Sequence, residues 1–259
     1  MNISTMDARF FEWLAALEAR HLANLRVPEV TRALRALSSA YVERRRHATG
    51  PSAGSQVAGA LDTAGKRAAF ALFYAPLHFL AVTAVVRAHG AEGPPPKTIV
   101  DLGCGTGAAG AAWALAVEPM PTVLGLDRHP WAIEETRWTY RQLGIRGRVR
   151  QEDVTRTVPV RRGDSVVAAY VLNELPEAAR IRLEDRLYDT AAHGGRVLII
   201  EPIARTIAPW WEGFAARFAG IGGRSEEWRV PLGLPPLLEK FDRAAGLQHR
   251  ELTFRSLFV

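Results

Sequence analysis

Apolar residues recur at helical spacing through the first ninety positions and in short, separated runs after them. Phe10, Trp13, Leu14, Leu17 and His21–Leu22 mark one face of a helix over residues 5–25. Pro28 opens a second helix at a position proline tolerates, and Val30, Leu34, Leu37 and Tyr41 are its buried face. That helix should stop near His47. The stretch 48–59 (ATGPSAGSQVAG) reads as a mobile loop. Two further helical pieces follow, over 61–74 and 76–89. The run Gly93-Pro94-Pro95-Pro96 makes a stiff spacer, and the domain boundary is placed there. Residues 1–96 are then a helical domain and residues 97–259 a second domain.

Beyond the spacer the pattern alternates. Strands are predicted at 98–102, 122–126, 148–151, 165–172 and 196–200. Helices are predicted at 108–117, 131–143, 177–192, 209–219 and 235–245. The β-prone tail, 248–259, could supply closing antiparallel strands. Alternation of this kind predicts an α/β fold, a parallel sheet with helices on both faces, and no internal repeat.

Composition narrows the class. The chain has 259 residues, 48% apolar and 23% charged, which excludes wholesale disorder. Its most apolar stretch, 68–86, is interrupted by Pro76 and His78, so no membrane span is expected. Asp7, Glu12 and Glu18 break any secretory h-region at the start. The single cysteine, Cys104, excludes an internal disulfide and a multi-cysteine metal site, and points to a cytoplasmic address. The seven histidines are dispersed, and no metal site is expected. Oligomeric state stays open.

The net charge is +6, and all but three of the 33 cations are arginine. Arginine grips phosphate bidentately, which suits a nucleic-acid partner; a GC-rich genome gives the same bias. The cluster Arg44-Arg45-Arg46 is either a solvated helix end or a phosphate contact.

The chemistry concentrates in Ile99-Val100-Asp101-Leu102-Gly103-Cys104-Gly105-Thr106-Gly107, a strand running into a glycine turn and then an alanine-rich helix. Glycine permits positive φ and close approach of a ligand to the backbone. Asp127 ends the next strand, where a carboxylate accepts hydrogen bonds from both hydroxyls of a ribose. The ligand is therefore expected to contain a ribose, most simply an adenosine.

The string D-x-G-x-G-x-G resembles motif I of class I S-adenosylmethionine-dependent methyltransferases, and the resemblance covers about residues 97–202. It implies a Rossmann-like seven-stranded methyltransferase sheet, here with an N-terminal all-helical domain, and S-adenosylmethionine as cofactor. It assigns Asp101, Gly103, Gly105 and Gly107 to the methionine part of the cofactor and Asp127 to its ribose. Arg128 and His129 follow that acid, and Trp131 could cover an adenine face. Asp153 matches the acid that binds the adenine amino group; a turn residue is the alternative. Cys104 falls at a variable position of the motif.

The fourth strand's end carries Tyr170, Asn173 and Glu174 in SVVAAYVLNELP. Substrate-facing residues sit there in this class, and the Asn/Asp-Pro-Pro-aromatic tetrad of base-amino methylases is absent. Glu174 is the candidate base or orienter and Asn173 a hydrogen-bond partner. The alternatives are a helix cap for Asn173 and a solvated carboxylate for Glu174. His78 and Tyr74, and the pair Trp210–Trp211, read as packing before chemistry.

Three short segments also resemble the Rsm22 family of methyltransferase-like proteins that act with the small ribosomal subunit. They are Leu37–Tyr41, Ala71–Pro76, and the pair 169–175 with 197–202. That resemblance implies ribosomal RNA as acceptor. The family's cluster-holding cysteines are absent. A small-molecule acceptor and a non-catalytic assembly factor are the other two readings.

Overall fold

A computed structural model describes residues 6–46, 61–89, 95–156, 159–161, 163–231 and 233–259, with the side chains of 40–46 outside the description. Seven strands form one sheet in the order β3-β2-β1-β4-β5-β7-β6. These are β1 Thr98–Leu102, β2 Thr122–Asp127, β3 Gly147–Gln151, β4 Ser165–Ala169, β5 Arg196–Glu201, β6 Arg224–Pro231 and β7 Glu251–Phe258. The first five run parallel, and β7 is antiparallel to both β5 and β6. Leu102 lies opposite Leu126, and Asp127 opposite Gln151. Ala169 lies opposite Ile200. This register brings the residues after β1, β2, β3, β4 and β5 to one edge. The order reverses between β1 and β4, the crevice where open α/β sheets bind ligands.

Alternate residues of each strand feed two cores. Val100, Val166, Val197 and Ile199 face α7 (Glu177–Ala192) and α8 (Trp211–Ala219), meeting Leu183, Leu187, Phe214 and Phe218. Ile99, Val123, Val167 and Leu198 face the other way, toward α5 (Ala108–Leu115), α6 (Pro130–Gln142) and α9 (Pro236–Ala245). The same buried cluster takes in α1 (Ala8–His21) and α2 (Val27–Arg46) through Phe10, Trp13, Leu17, Val30 and Leu34. Residue 96 thus marks a change of architecture, while the apolar core runs on across it.

Residues 61–74 and 76–89 were expected to be two helices parted at Ala75. Instead α3 (Ala64–Ala69), a π-helical turn (Phe70–Tyr74) and α4 (Ala75–His89) join end to end. The N–H of Ala75 reaches back to the carbonyl of Phe70. That wider turn makes room for the Pro76 ring and removes the need for its missing N–H. The joined helix, 26 residues, is long and apolar enough to cross a membrane, but 78% of its apolar window is buried inside the protein. It is the central helix of the larger core.

Two other expectations change, and a third cannot be placed. β4 ends at Ala169, not Leu172, because Tyr170 takes a left-handed conformation (φ 61°) and a 3₁₀ turn follows at Leu172–Glu174. β6 was not expected: it is a charged edge strand with Trp228 and Val230 as its apolar signal. Arg44, Arg45 and Arg46 close α2, but their side chains, like the expected loop at 48–59, lie outside the described residues.

Candidate cofactor and acceptor site

Gly103, Gly105 and Gly107 all adopt positive φ, so the expectation that the turn needs glycine is met by its geometry. A Cβ on Gly103 would come within 2.8 Å of Val171, and one on Gly107 within 2.7 Å of Thr136 and Tyr140. The turn is therefore pressed between the start of the β4 turn and α6. Its backbone is held on every side. Cys104 donates its N–H to the Leu126 carbonyl at 2.9 Å, and Gly107 its N–H to the Cys104 carbonyl at 2.7 Å. The Thr136 hydroxyl donates to the Gly105 carbonyl at 2.9 Å.

Asp127 completes the frame. Its Oδ2 accepts the Gly105 N–H at 2.9 Å and its Oδ1 the His129 N–H at 2.8 Å. Each oxygen retains a second lone pair, and the side chain is half-buried at the mouth of the turn. A carboxylate held open in this way fits the diol of a ribose. Asp101, expected beside the methionine part, is instead buried beneath the turn, where Oδ2 accepts the Gly110 N–H of α5 at 2.8 Å. Burial pushes its carboxyl up to about 7 against the pull of that N–H. Asp101 thus braces the turn against the helix. Burial also pushes the Cys104 thiol up, and Thr136 takes its sulfur at 3.3 Å, so the cysteine is a packed residue.

Arg128 is exposed, and its carbonyl accepts from Gln151 at 3.0 Å. Asp153 is exposed and closes a turn: Oδ1 accepts both the N–H and the hydroxyl of Thr155, at 2.9 and 2.7 Å. The Thr155 hydroxyl is the main cause holding its carboxyl below the ordinary range. Its Oδ2 pairs with Arg156 Nε at 3.9 Å, beyond hydrogen-bond reach, so the carboxylate faces a cation as well as the turn. Trp131 stands edge-on to His129, which caps α6 through Nδ1 to the Trp131 N–H at 3.2 Å. Trp210 and Trp211 lie in the core on the other face of the sheet, with Arg180 over Trp210.

The turn after β4 is tied to β5 by a residue that was not expected in the site. Glu201 is fully buried, and its Oε1 accepts the N–H of Leu172 at 2.8 Å and of Asn173 at 3.3 Å. Among the described residues its Oε2 has no hydrogen-bond partner, nor has the buried Oδ1 of Asn173. Burial raises the Glu201 carboxyl to about 8, opposed by those N–H donors. Asn173 does not cap α7; Pro176 holds that position without a side-chain bond. Glu174 is half-buried beside Glu201, whose proton its charge helps retain. The advance signals for Glu201 were its place just past a predicted strand and its inclusion in the Rsm22-like segment 197–202.

Across the crevice, the joined helix turns aromatic rings toward this edge. The Phe70 ring lies 3.4 Å from where a Cβ on Gly105 would stand. His78 stacks on Tyr170, centroids 4.3 Å apart and planes inclined by 23°. Phe70 and Tyr74 flank His78 at 5.9 and 6.4 Å, and the Tyr74 hydroxyl meets Ser38 Oγ at 3.0 Å. Burial lowers the His78 imidazole to about 3 and raises the Tyr170 phenol, so both rings are neutral near pH 7.

Known proteins share the fold that carries this site. Residues 99–195 match the family described as methyltransferase domain. Aklanonic acid methyltransferase DauC of Streptomyces sp. (strain C5) is 32% identical over 111 residues, 42% of this chain and 50% of that protein. The chain thus spans about half the length of that relative. An O-methyltransferase family protein from Burkholderia thailandensis superposes with a TM-score of 0.55 over 90% of this chain and 71% of its own, at 16% identity. A Nostoc punctiforme PCC 73102 protein assigned as an O-methyltransferase gives 0.54 over 97% and 72%, at 13% identity. The fold is the class I S-adenosylmethionine-dependent methyltransferase fold.

Proposed function

We propose that the chain, built on a methyltransferase domain at residues 99–195, transfers a methyl group to a small molecule. The acceptor would sit between the helix of residues 64–89 and the end of β4. The observation that carries this reading is the row of rings from Phe70, against the glycine turn, to His78, stacked on Tyr170. An RNA acceptor calls for cations that grip phosphate; these rings are uncharged. The likeness to a relative named for a small acid, aklanonic acid, supports the same reading.

Bound S-adenosylmethionine supplies a methyl group already activated on a sulfonium. Gly103, Gly105 and Gly107 give its methionine part a backbone surface, Asp127 takes the ribose, and Asp153 Oδ2 the adenine amino group. Little further chemistry is asked of the chain, because alignment and exclusion of water supply most of the rate. Tyr170 and Asn173 orient the acceptor, and Glu174 takes its proton where the acceptor must lose one.

Methyl transfer from radiolabelled S-adenosylmethionine tests the reading against an RNA fraction and a metabolite fraction of the same cells. Label should enter the metabolites. Label confined to RNA would overturn the small-molecule acceptor in favour of the ribosomal alternative that the Rsm22-like segments suggest.

A further inference from the structure

The proposed function leaves the acceptor's chemistry open, and the crevice narrows it. Four rings, Phe70, Tyr74, His78 and Tyr170, are each half-buried and packed on one another, from Phe70 against the glycine turn to Tyr170 just past the end of β4. Phe70, Tyr74 and His78 follow one another at four-residue spacing, so a single helix face presents them together. The π-helical turn sets that face, since an extra residue in the turn rotates what precedes it relative to α4. Neither His78 nor Tyr170 carries a charge near pH 7. Rings of this kind gain most from a flat ring lying against them, through offset stacking and edge contacts.

A polar group on the turn after β4 asks for a donor. The Asn173 Oδ1 is buried and has no hydrogen-bond partner among the described residues, two residues from Val171, which lies against the glycine turn. A buried acceptor left unpaired costs about 1–3 kcal/mol, which an O–H or N–H from a ligand would recover.

We propose that the methyl acceptor is a planar aromatic compound carrying a hydroxyl or amino group, with its ring against the Phe70–Tyr74–His78–Tyr170 wall and its O–H or N–H directed to Asn173. This rests on the small-molecule reading above. The acceptor's oxygen or nitrogen forms a bond to the methyl carbon, and the carbon–sulfur bond breaks. Its electron pair stays on sulfur, leaving S-adenosylhomocysteine. The acceptor's proton passes through Glu174 to water.

Calorimetric titration of the full chain loaded with S-adenosylhomocysteine tests this without turnover. The probes are 2-naphthol, 1-hydroxyanthraquinone and the saturated alcohol 2-decalol. At least one flat phenol should bind at one per chain, and at least tenfold more tightly than 2-decalol. His78→Leu should weaken that phenol tenfold or more while S-adenosylhomocysteine affinity is kept. If His78→Leu fails to unfold cooperatively, Tyr74→Leu takes its place with the same expectation. The proposal is overturned if neither phenol binds to the loaded chain, if 2-decalol binds as well, or if the leucine variant binds unchanged. Failure of S-adenosylhomocysteine itself to bind would remove the cofactor site and this proposal together.

Discussion

Glu201 Oε1 accepts the backbone N–H of Leu172 at 2.8 Å, tying the end of β5 to the turn that follows β4. The carboxyl is fully buried and raised to about 8 from an ordinary 4.5, and Asp101, under the glycine turn, is raised to about 7 from 3.8. In each case the folded chain holds a proton that the unfolded chain has released. Their stabilising contribution is complete below about pH 4 and is lost as pH rises through about 8. Urea unfolding of the wild type should therefore show stability falling between pH 5 and pH 8.5. In Glu201→Gln that fall should be smaller, by on the order of 2–4 kcal/mol. Equal slopes in both proteins would mean that Glu201 ionises like an exposed carboxylate.

The glycine turn yields a sharper stability contrast. Gly107 has φ 79°, and a Cβ there would strike Thr136 and Tyr140 at 2.7 Å. Gly144 has φ 67° with no described residue within 4 Å of its Cβ position. Gly144→Ala should cost about 1 kcal/mol, the left-handed strain alone. Gly107→Ala should cost about 2–4 kcal/mol, because overpacking adds to the strain. Denaturant midpoints compare the two. Equal losses would contradict the tight seat described for the turn.

Helix α1 is fastened to α6 by Glu135, which is wholly buried and accepts from His21 Nε2 at 2.8 Å and Arg20 Nε at 3.2 Å. Arg20 also covers Trp138 and is 40% exposed. Arg20→Ala should cost no more than about 1 kcal/mol, as solvent-screened pairs do. Glu135→Ala should cost about 3 kcal/mol, since the anchor lost is the buried one. Thermal unfolding of the two variants decides between them and an arrangement in which the pair is incidental.

The sheet and the glycine turn were legible in the sequence because local rules governed them. Alternation placed β1, β2 and β5 within a residue, and Gly103, Gly105 and Gly107 announced a turn that only glycine fits. Non-local effects hid the rest. Pro76 reads as a break until the π turn ahead of it accommodates the ring. Tyr170 reads as strand until its left-handed backbone turns the chain toward His78. β6 owes its existence to pairing with β7 rather than to its own composition. Asp101 and Asp127 look alike as strand-end acids, yet one is sealed under α5 and the other stands at the mouth. Glu201 lay in the Rsm22-like segment 197–202 with no role assigned to it, and only the register of β5 beside β4 showed what it holds.

The central claim is that Asp127 and the glycine turn form the cofactor's seat. Calorimetry of S-adenosylhomocysteine against the wild type and Asp127→Ala measures it directly, with circular dichroism confirming that both are folded. The account predicts one site per chain in the wild type and a loss of about 1–3 kcal/mol in the variant, roughly five- to 150-fold. Equal affinity in the folded Asp127→Ala protein, or no binding to the wild type, would contradict it.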